Sequence, residues 1–176
     1  VSVYGNGPAK NYQLIFNDSA LFEGNYAVST NGLGDGGAIF YDSSAALLHL
    51  SSGTQFLNNS ASRYGGAIYL QAGTIDLSAV TGDIVFQGNR QGVSIDGSNV
   101  PVSDTGKPNA IYLGTGGNLN FTAGAGNTIH FHDPIASAAG TSVIITKTGG
   151  GEVIFYGDNG ATGNYHSLLQ ATTRVN

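Results

Sequence analysis

The sequence predicts an all-β fold: a right-handed parallel β-helix with three strands per rung and about five rungs. Three observations predict it. A glycine-rich tetrapeptide recurs, a Phe-x-x-Asn motif alternates with it, and short runs of alternating apolar and polar residues lie between them. Motifs that alternate with a period near ~30 residues are typical of a solenoid. Because one coil cannot bury its apolar side alone, we expect the coils to stack.

The two motifs set the period of the predicted coil. The tetrapeptide occurs as Gly36, Gly37, Ala38, Ile39 and again as Gly65, Gly66, Ala67, Ile68, with a degenerate copy at residues 108–111. The second motif pairs Phe22 with Asn25, Phe56 with Asn59, and Phe86 with Asn89. The distance from the tetrapeptide Ile to the next Phe is 17, 18 and 20 residues, whereas the distance from Phe to the next Ala is 16, 11 and 24. One part of each coil therefore keeps its length, and the other part accepts insertions.

Three strand-like runs recur in the part of constant length. They are residues 38–41, 67–70 and 110–113, then 48–50, 75–77 and 119–121, then 54–57, 84–87 and 129–132. Residues two apart in a strand face the same side. This predicts four inward columns: Ile39, Ile68 and Ile111; Leu48, Ile75 and Leu119; Leu50, Leu77 and Phe121; Phe56, Phe86 and Phe131. We expect the glycine pair to make a turn that excludes a Cβ atom. We expect the motif Asn to take left-handed backbone angles and to bond to the backbone and to the Asn of the next coil.

The remaining segments extend the same domain. Residues 12–16 and 20–22 form a partial first coil, and residues 1–135 carry the repeats. Residues 136–176 match neither motif, and we expect looser coils there, with strands at 143–146 and 152–156 and an end-packing segment at 165–172. The chain begins at Val1 within strand-like residues, which suggests a processed piece of a longer protein.

Composition narrows the class of protein. Glycine accounts for 28 of 176 residues with only 4 prolines, which together with the strand periodicity indicates many turns rather than disorder. Charged residues make up 10%, and a polar but uncharged surface is typical of extracellular proteins. The net charge of −5, with six scattered Lys and Arg residues, argues against nucleic-acid binding. No apolar run is long enough to predict a membrane-spanning helix, and the lack of cysteine requires neither an oxidising nor a reducing compartment.

The alternation of the two tetrapeptides resembles the repeats of the chlamydial polymorphic outer-membrane protein (Pmp) family. That family is defined by GGA(I/L/V) and FxxN motifs, and residues 126–135 also resemble a segment that follows its last repeats. The resemblance implies an autotransporter passenger domain, exposed on the bacterial surface or released from it. It also implies adhesion to host cells through a protein receptor or a glycan. The chain departs from the family pattern at Pro108-Asn109 and at Asp133-Pro134, so we expect a less regular last coil.

Two features are candidate partner-binding surfaces. The longest insertion, residues 90–108, carries Arg90, Asp96, Asp104 and Lys107, and contacts are often placed on loops that a rigid scaffold holds. The second feature is the aromatic column, which consists of Phe40, Tyr69 and Tyr112. If the tetrapeptide Ile faces inward, as we favour, this column forms an outer contact stripe; with the opposite parity it belongs to the core.

No catalytic, metal or cofactor site is predicted. His130 and His132 share an outer face, but a zinc site needs a third ligand and none is identifiable. Residues 32–36 form only one partial copy of a calcium-binding nonapeptide, whereas such a site needs tandem copies. A β-helical carbohydrate-active enzyme needs converging carboxylates, and Asp42, Asp76 and Asp83 fall at different corners. A purely structural stalk remains an alternative to the adhesin, and open strand edges at the ends favour self-association.

Overall fold

The computed structural model describes residues 1–4, 12–29, 34–43, 46–102, 105–115, 117–156, 166–167 and 173–175. These residues form short strands connected by turns. In chain order the strands are β1 (Ser2–Tyr4), β2 (Gln13–Phe16), β3 (Leu21–Glu23), β4 (Tyr26–Ala27), β5 (Ile39–Asp42), β6 (Ala46–Ser51), β7 (Gln55–Leu57), β8 (Ser60–Ala61), β9 (Ile68–Leu70), β10 (Gly73–Ala79), β11 (Ile84–Gln87), β12 (Arg90–Gln91), β13 (Lys107–Pro108), β14 (Ile111–Leu113), β15 (Gly117–Ala123), β16 (Thr128–Phe131), β17 (Ile135–Ser137), β18 (Val143–Thr148), β19 (Glu152–Phe155), β20 (His166–Ser167) and β21 (Thr173–Val175). No helix that could cross a membrane occurs in this described part of the chain.

The strands build three long sheets and one short sheet. Sheet A has the order β1-β5-β9-β14-β17-β20, sheet B the order β18-β15-β10-β6-β2, and sheet C the order β21-β19-β16-β11-β7-β3. Within each sheet, strands from successive repeats are parallel and in register, as the pairs of Ile39 with Ile68 and of Phe56 with Phe86 show. Each coil of the chain therefore contributes one strand to each sheet. This is the parallel β-helix of about five rungs that the repeats predicted.

A fourth, short sheet was not predicted. Its strands are only two residues long and follow the Phe-x-x-Asn motif, in the order β13-β12-β8-β4. Strands β4, β8 and β12 pair in parallel, whereas β13 pairs antiparallel with β12 because the insertion brings the chain back on itself. A two-residue strand is too short to show the alternation by which strands are recognised in a sequence.

The four predicted inward columns form the core. Every member of them is at most 1% exposed, including Ile39, Ile68 and Ile111. The phenylalanine column continues on both sides of the predicted one, because Phe22 and Phe155 extend it to five rings. Successive ring centroids along it are 4.6, 4.8, 4.9 and 5.0 Å apart. These distances match the spacing of about 4.8 Å between neighbouring strands, so each ring stacks on the same residue of the next coil.

The motif asparagines form a continuous ladder inside the stack. Asn25 Nδ2 donates to Asn59 Oδ1 over 2.9 Å, Asn59 Nδ2 donates to Asn89 Oδ1 over 2.9 Å, and Asn89 Nδ2 donates to Asp133 Oδ2 over 2.8 Å. The backbone N–H of each asparagine donates to the same side-chain oxygen. The predicted bonding between coils is thus confirmed, and Asp133, at the position where the motif departs, takes the place of an asparagine.

The predicted backbone angle of the motif asparagine is wrong. The left-handed residue is the one before it, with φ of +63° at Gly24, +56° at Asn58 and +73° at Gly88. The asparagine follows this turn residue, so its side chain points into the stack.

The two positions of the glycine pair require glycine for different physical reasons. The first glycine is left-handed, with φ of +66° at Gly36 and +70° at Gly65. The second glycine has no room for a side chain, because a Cβ on Gly37 would collide with the carbonyl oxygen of Gly66 and lie 2.7 Å from the backbone nitrogen of Ser60. The predicted exclusion of Cβ is therefore confirmed.

The last coil is more regular than the motif departures suggested. Strands β17, β18 and β19 continue sheets A, B and C in parallel register. Asn109, which replaces the second glycine, donates from Nδ2 to the carbonyl oxygen of Pro134, so its side chain has a place at this turn. Strands β20 and β21 then pair antiparallel at the ends of sheets A and C. Most of the predicted end-packing segment at 165–172 lies outside the described residues.

Candidate binding surfaces

The aromatic column lies on the outer side of sheet A, because the tetrapeptide Ile faces inward. Its rings stack along the sheet, with centroids 5.3 Å apart from Phe40 to Tyr69 and 6.0 Å apart from Tyr69 to Tyr112. Tyr69 and Tyr112 are, however, each only 8% exposed. The predicted outward placement is thus confirmed, but the two tyrosines offer no open surface, and only Phe40 is partly exposed.

The aromatic column is covered by the turn that precedes it. The Tyr64 ring stacks on Tyr112 at 4.2 Å, and the Arg63 guanidinium lies 5.2 Å from the centre of the Tyr64 ring. Arg63 is held by a two-point ion pair with the buried Asp35, with Nε donating to Oδ1 over 2.8 Å. This hydrogen bond raises the pKa of Arg63. The column is thus a second, smaller apolar cluster that packs a turn onto sheet A.

The described residues of the insertion after β12 are held by several hydrogen bonds. Arg90 reaches across its base and donates from Nε to the carbonyl oxygen of Thr105 and from Nη2 to that of Gly106, over 2.9 and 3.0 Å. Near the tip, Asp96 Oδ1 accepts from the backbone N–H groups of Ser98 and Val100 over 2.8 and 2.9 Å. The two candidate contact residues Arg90 and Asp96 therefore hold the shape of the insertion.

Two valines of the insertion face solvent, whereas Val93 near its start is buried. Val100 is 44% exposed and Val102 is 40% exposed. Lys107 lies in β13 opposite Gln91, at the base of the excursion. Asp104 lies outside the described residues. Val100 and Val102 therefore join Asp96, which is also exposed, as candidate contact residues of the insertion.

The histidine pair belongs to a stacked cluster on the outer side of sheet C. The His132 ring stacks on Tyr156 at 4.0 Å and lies 6.2 Å from the His130 ring. His130 connects neighbouring coils, with Nδ1 2.8 Å from the Tyr156 hydroxyl and Nε2 3.4 Å from Asp83 Oδ2. Burial, with a smaller contribution from His130, lowers the pKa of His132. Among the described residues no group of three or more potential ligands could hold a metal ion.

A polar groove, which the sequence reasoning missed, lies at the corner between sheets B and C. It has a volume of about 390 Å³ and is lined by Asn17, Asp18, Ser19, Ser51, Ser52, Ser78, Val80 and Thr81. The lining comes from the turns of three successive coils. The signal in the sequence was a longer turn, because Phe56 follows Leu50 by six positions, whereas Phe86 follows Leu77, the residue paired with Leu50, by nine.

Side chains on the outer side of sheet B lead into this groove. His49 Nδ1 lies 2.8 Å from Asp76 Oδ2 on the next strand, and His49 Nε2 lies 3.2 Å from Ser51 Oγ. This is the order of groups found in a serine hydrolase. The neighbouring N–H groups of Gly53, Thr54 and Thr81 all donate to other acceptors, so these three do not form an oxyanion hole.

Comparisons with known proteins converge on one family. The Chlamydia polymorphic membrane protein repeat matches residues 53–71, which contain the second Phe-x-x-Asn motif and the second glycine tetrapeptide. The chain is similar to the probable outer membrane protein PmpG of Chlamydia muridarum (strain MoPn / Nigg), with 40% identity over 153 residues. That match covers 82% of the chain and 15% of the relative.

Two proteins of Chlamydia pneumoniae give similar matches. The chain is 36% identical to the probable outer membrane protein pmp8 over 74% of its length, and 44% identical to the probable outer membrane protein pmp11 over 61% of its length. The matched segments span 13% and 12% of these relatives. No solved structure gives a significant match to the chain.

Proposed function

The chain belongs to the chlamydial polymorphic membrane protein family, and we propose that it acts as a passenger segment on the bacterial surface that adheres to host cells. The observation that supports this proposal is that the repeats which define the family serve to build the stack. The motif glycines and the phenylalanines and asparagines of the second and third Phe-x-x-Asn motifs are buried, whereas in the first motif Phe22 is half-buried and Asn25 is exposed. Contacts with a partner are therefore left to the corners and insertions that vary between coils.

The valines of the insertion are the proposed protein-contact surface. Val100 and Val102 are exposed on an excursion whose base is held by Arg90 and whose tip is held by Asp96. Exposed apolar residues on a rigid support suit a protein partner, because they lose little conformational entropy when they are buried. A host-cell surface protein is thus the partner that we propose for this part of the molecule.

Attachment of coated beads to host cells tests the adhesin. Beads that carry the chain should attach in a saturable manner, and the double substitution Val100→Asp/Val102→Asp should reduce attachment at least tenfold. Ile15→Asp/Ile144→Asp is the matched control, because both isoleucines are exposed, at 45% and 60%, and lie on sheet B. Equal attachment of both variants and the original chain would exclude the insertion as the contact surface.

A structural stalk is the alternative. A stalk only spaces a distal binding region from the cell, so beads that carry this chain alone would attach no better than beads that carry an unrelated protein. Saturable attachment that soluble chain competes away would exclude the stalk.

We propose no catalytic role. Asp42 ends a strand of sheet A, Asp76 lies on sheet B, and Asp83 lies at the corner before sheet C. Among the described residues, the arrangement that most favours chemistry is Ser51–His49–Asp76. If it were a hydrolase, the chain would release p-nitrophenol from p-nitrophenyl acetate, and Ser51→Ala would abolish that release. We expect release at the rate of buffer containing an equal amount of free imidazole, for the chain and for the variant alike.

The ends of the stack offer a route to self-association. Strands β2 and β18 are the outermost described strands of sheet B. An unpaired strand edge is a template for another strand. We therefore propose that isolated chains associate through these edges at high concentration, which sedimentation velocity over a concentration series measures.

A further inference from the structure

We propose that the polar groove at the corner between sheets B and C binds a neutral, hydroxyl-rich oligosaccharide. The proposal rests on the proposed adhesin function only for the source of the sugar, which the host cell would display. It assigns a ligand class to a site that lies on a different sheet corner from the insertion.

The groove lies where a longer turn follows two shorter turns in the stack. The paired positions Phe16 and Leu50 are each followed six residues later by the next buried phenylalanine, whereas Leu77 is followed nine residues later. The third coil therefore has three more residues at this corner than the first two. Its turn, with Val80 and Thr81, stands beyond the shorter turns and forms a wall above them.

The groove presents side chains that suit sugar hydroxyls. Its described lining consists of hydroxyl, amide and carboxylate groups together with one apolar residue, Val80. A volume of about 390 Å³ lies within the range of about 300–1,000 Å³ that is usual for small-molecule sites. The lining is too polar for an apolar ligand. The hydroxyl groups of a sugar, in contrast, both donate and accept hydrogen bonds, so they can pair with either kind of group in the lining.

Part of the lining is held in place before any ligand arrives. Ser52 Oγ donates to the carbonyl oxygen of Ser78 and accepts from the backbone N–H of Thr81, both over 3.0 Å. Ser51 Oγ is held by His49, which is itself held by Asp76. Groups fixed in this way lose little entropy on binding. Asn17 and Asp18 lie on the opposite side of the groove, in the turn of the first coil.

The charge of the groove selects against sulfated and carboxylated sugars. Among the residues that the structure describes, Asp18 is the one charged residue in the lining, and no Lys or Arg lines it. The whole chain carries a net charge of −5. A negatively charged ligand would meet like charge at the site, which disfavours binding, whereas a carboxylate accepts strong hydrogen bonds from neutral sugar hydroxyls.

An oligosaccharide array tests the proposal. The whole chain is applied to neutral oligosaccharides of galactose, glucose, mannose and N-acetylglucosamine, with sulfated heparin fragments on the same slide. We expect binding to a subset of the neutral sugars and none to the heparin fragments. Asn17→Ala/Asp18→Ala should reduce the neutral signal at least tenfold, and Thr81→Trp, which fills the groove, should do the same.

The control is Gln55→Ala, because Gln55 is exposed on the outer side of sheet C and does not line the groove. It should bind as the original chain does, and thermal melts should show that all variants fold. Lack of binding to neutral sugars, binding to heparin fragments alone, or binding that neither groove variant lowers would each overturn the proposal.

Bead attachment to host cells, measured in parallel, distinguishes failure of the sugar site from failure of the adhesin function. Attachment by a chain that binds no neutral sugar would leave the adhesin standing and remove the sugar site. Sugar binding that the groove variants abolish, without any attachment of the original chain to cells, would leave the site standing and remove the adhesin.

Discussion

Two corners of the same coil differ in how much change they accept. At the corner after sheet C, the side chains of Asn25, Asn59, Asn89 and Asp133 form a ladder that joins four successive coils and is buried from Asn59 onward. At the corner between sheets B and C, the spacing across the turn changes from six to nine positions, and the surface there forms a groove. The ladder thus holds neighbouring coils in register at one corner, whereas the turn at the other corner differs in length from coil to coil.

The difference has a physical cause. A buried amide must find partners for its N–H and C=O groups, because a buried polar group without a partner costs free energy. In the ladder those partners are supplied by the next coil, so each coil fixes the position of its neighbour's ladder residue, and the insertion of residues 90–108 begins only after it. At the open corner the turns face water, which satisfies their polar groups at any length.

The substitution with the largest expected effect tests how closely the backbones of neighbouring coils approach each other beside the ladder. Gly37→Val should lower the free energy of unfolding by more than about 4 kcal/mol, because its side chain would collide with Gly66 and Ser60 in the next coil. Gly82→Ala at the open corner is the control. The atoms nearest to its Cβ would be 3.6 and 3.8 Å away, so we expect a change within about 0.5 kcal/mol. Urea unfolding measures both, and similar losses would show that the two corners are equally tight.

The next effect concerns the phenylalanine stack beside the ladder. Phe86→Ala should cost about 4 kcal/mol, because it removes a fully buried ring that stacks on Phe56 and Phe131. Val85→Ala on the outward side of the same strand should cost less than about 1 kcal/mol. Comparable costs in thermal unfolding would mean that the inner and outer faces of sheet C have been interchanged.

The ladder itself is tested by Asn59→Ala. The substitution leaves the backbone N–H and the side-chain amide of Asn25 without their acceptor, and it leaves Asn89 Oδ1 without two donors. We expect a loss of about 3 kcal/mol in the free energy of unfolding. Asn17→Ala at the open corner should cost no more than about 0.5 kcal/mol. A loss below about 1 kcal/mol for Asn59→Ala would show that water replaces the ladder without cost.

The smallest effect is a pH dependence at the end of the ladder. Burial raises the pKa of Asp133, although the N–H groups of Asn89 and Gly88 oppose the shift. A carboxyl whose pKa is raised by folding contributes most below its unfolded pKa, and this contribution is lost as the pH rises through the folded pKa. We therefore expect the original chain to lose stability relative to Asp133→Asn as the pH rises from about 4 to 7. Parallel curves of unfolding free energy against pH would contradict this.

The repeat motifs predicted the stack because each of them has a local cause that the sequence displays. The glycine pair marks a turn without room for Cβ, and the period-2 alternation separates Leu48 and Leu50 from His49. The fourth sheet escaped prediction because its strands have two residues. The cover over Tyr69 and Tyr112 escaped because Tyr64 and Arg63 precede the strands on which the aromatic column lies.

The sequence by itself thus determined the fold class, the inward columns and the coil period, since these depend on spacings within one repeat. Only the tertiary structure decided what the surface offers. Whether an outward aromatic is exposed depends on a neighbouring turn, and whether Ser51, Asp18 and Thr81 line one groove depends on how three coils stack. Such contacts join residues that are about 30 positions apart, and no local pattern records which turn will cover its neighbour.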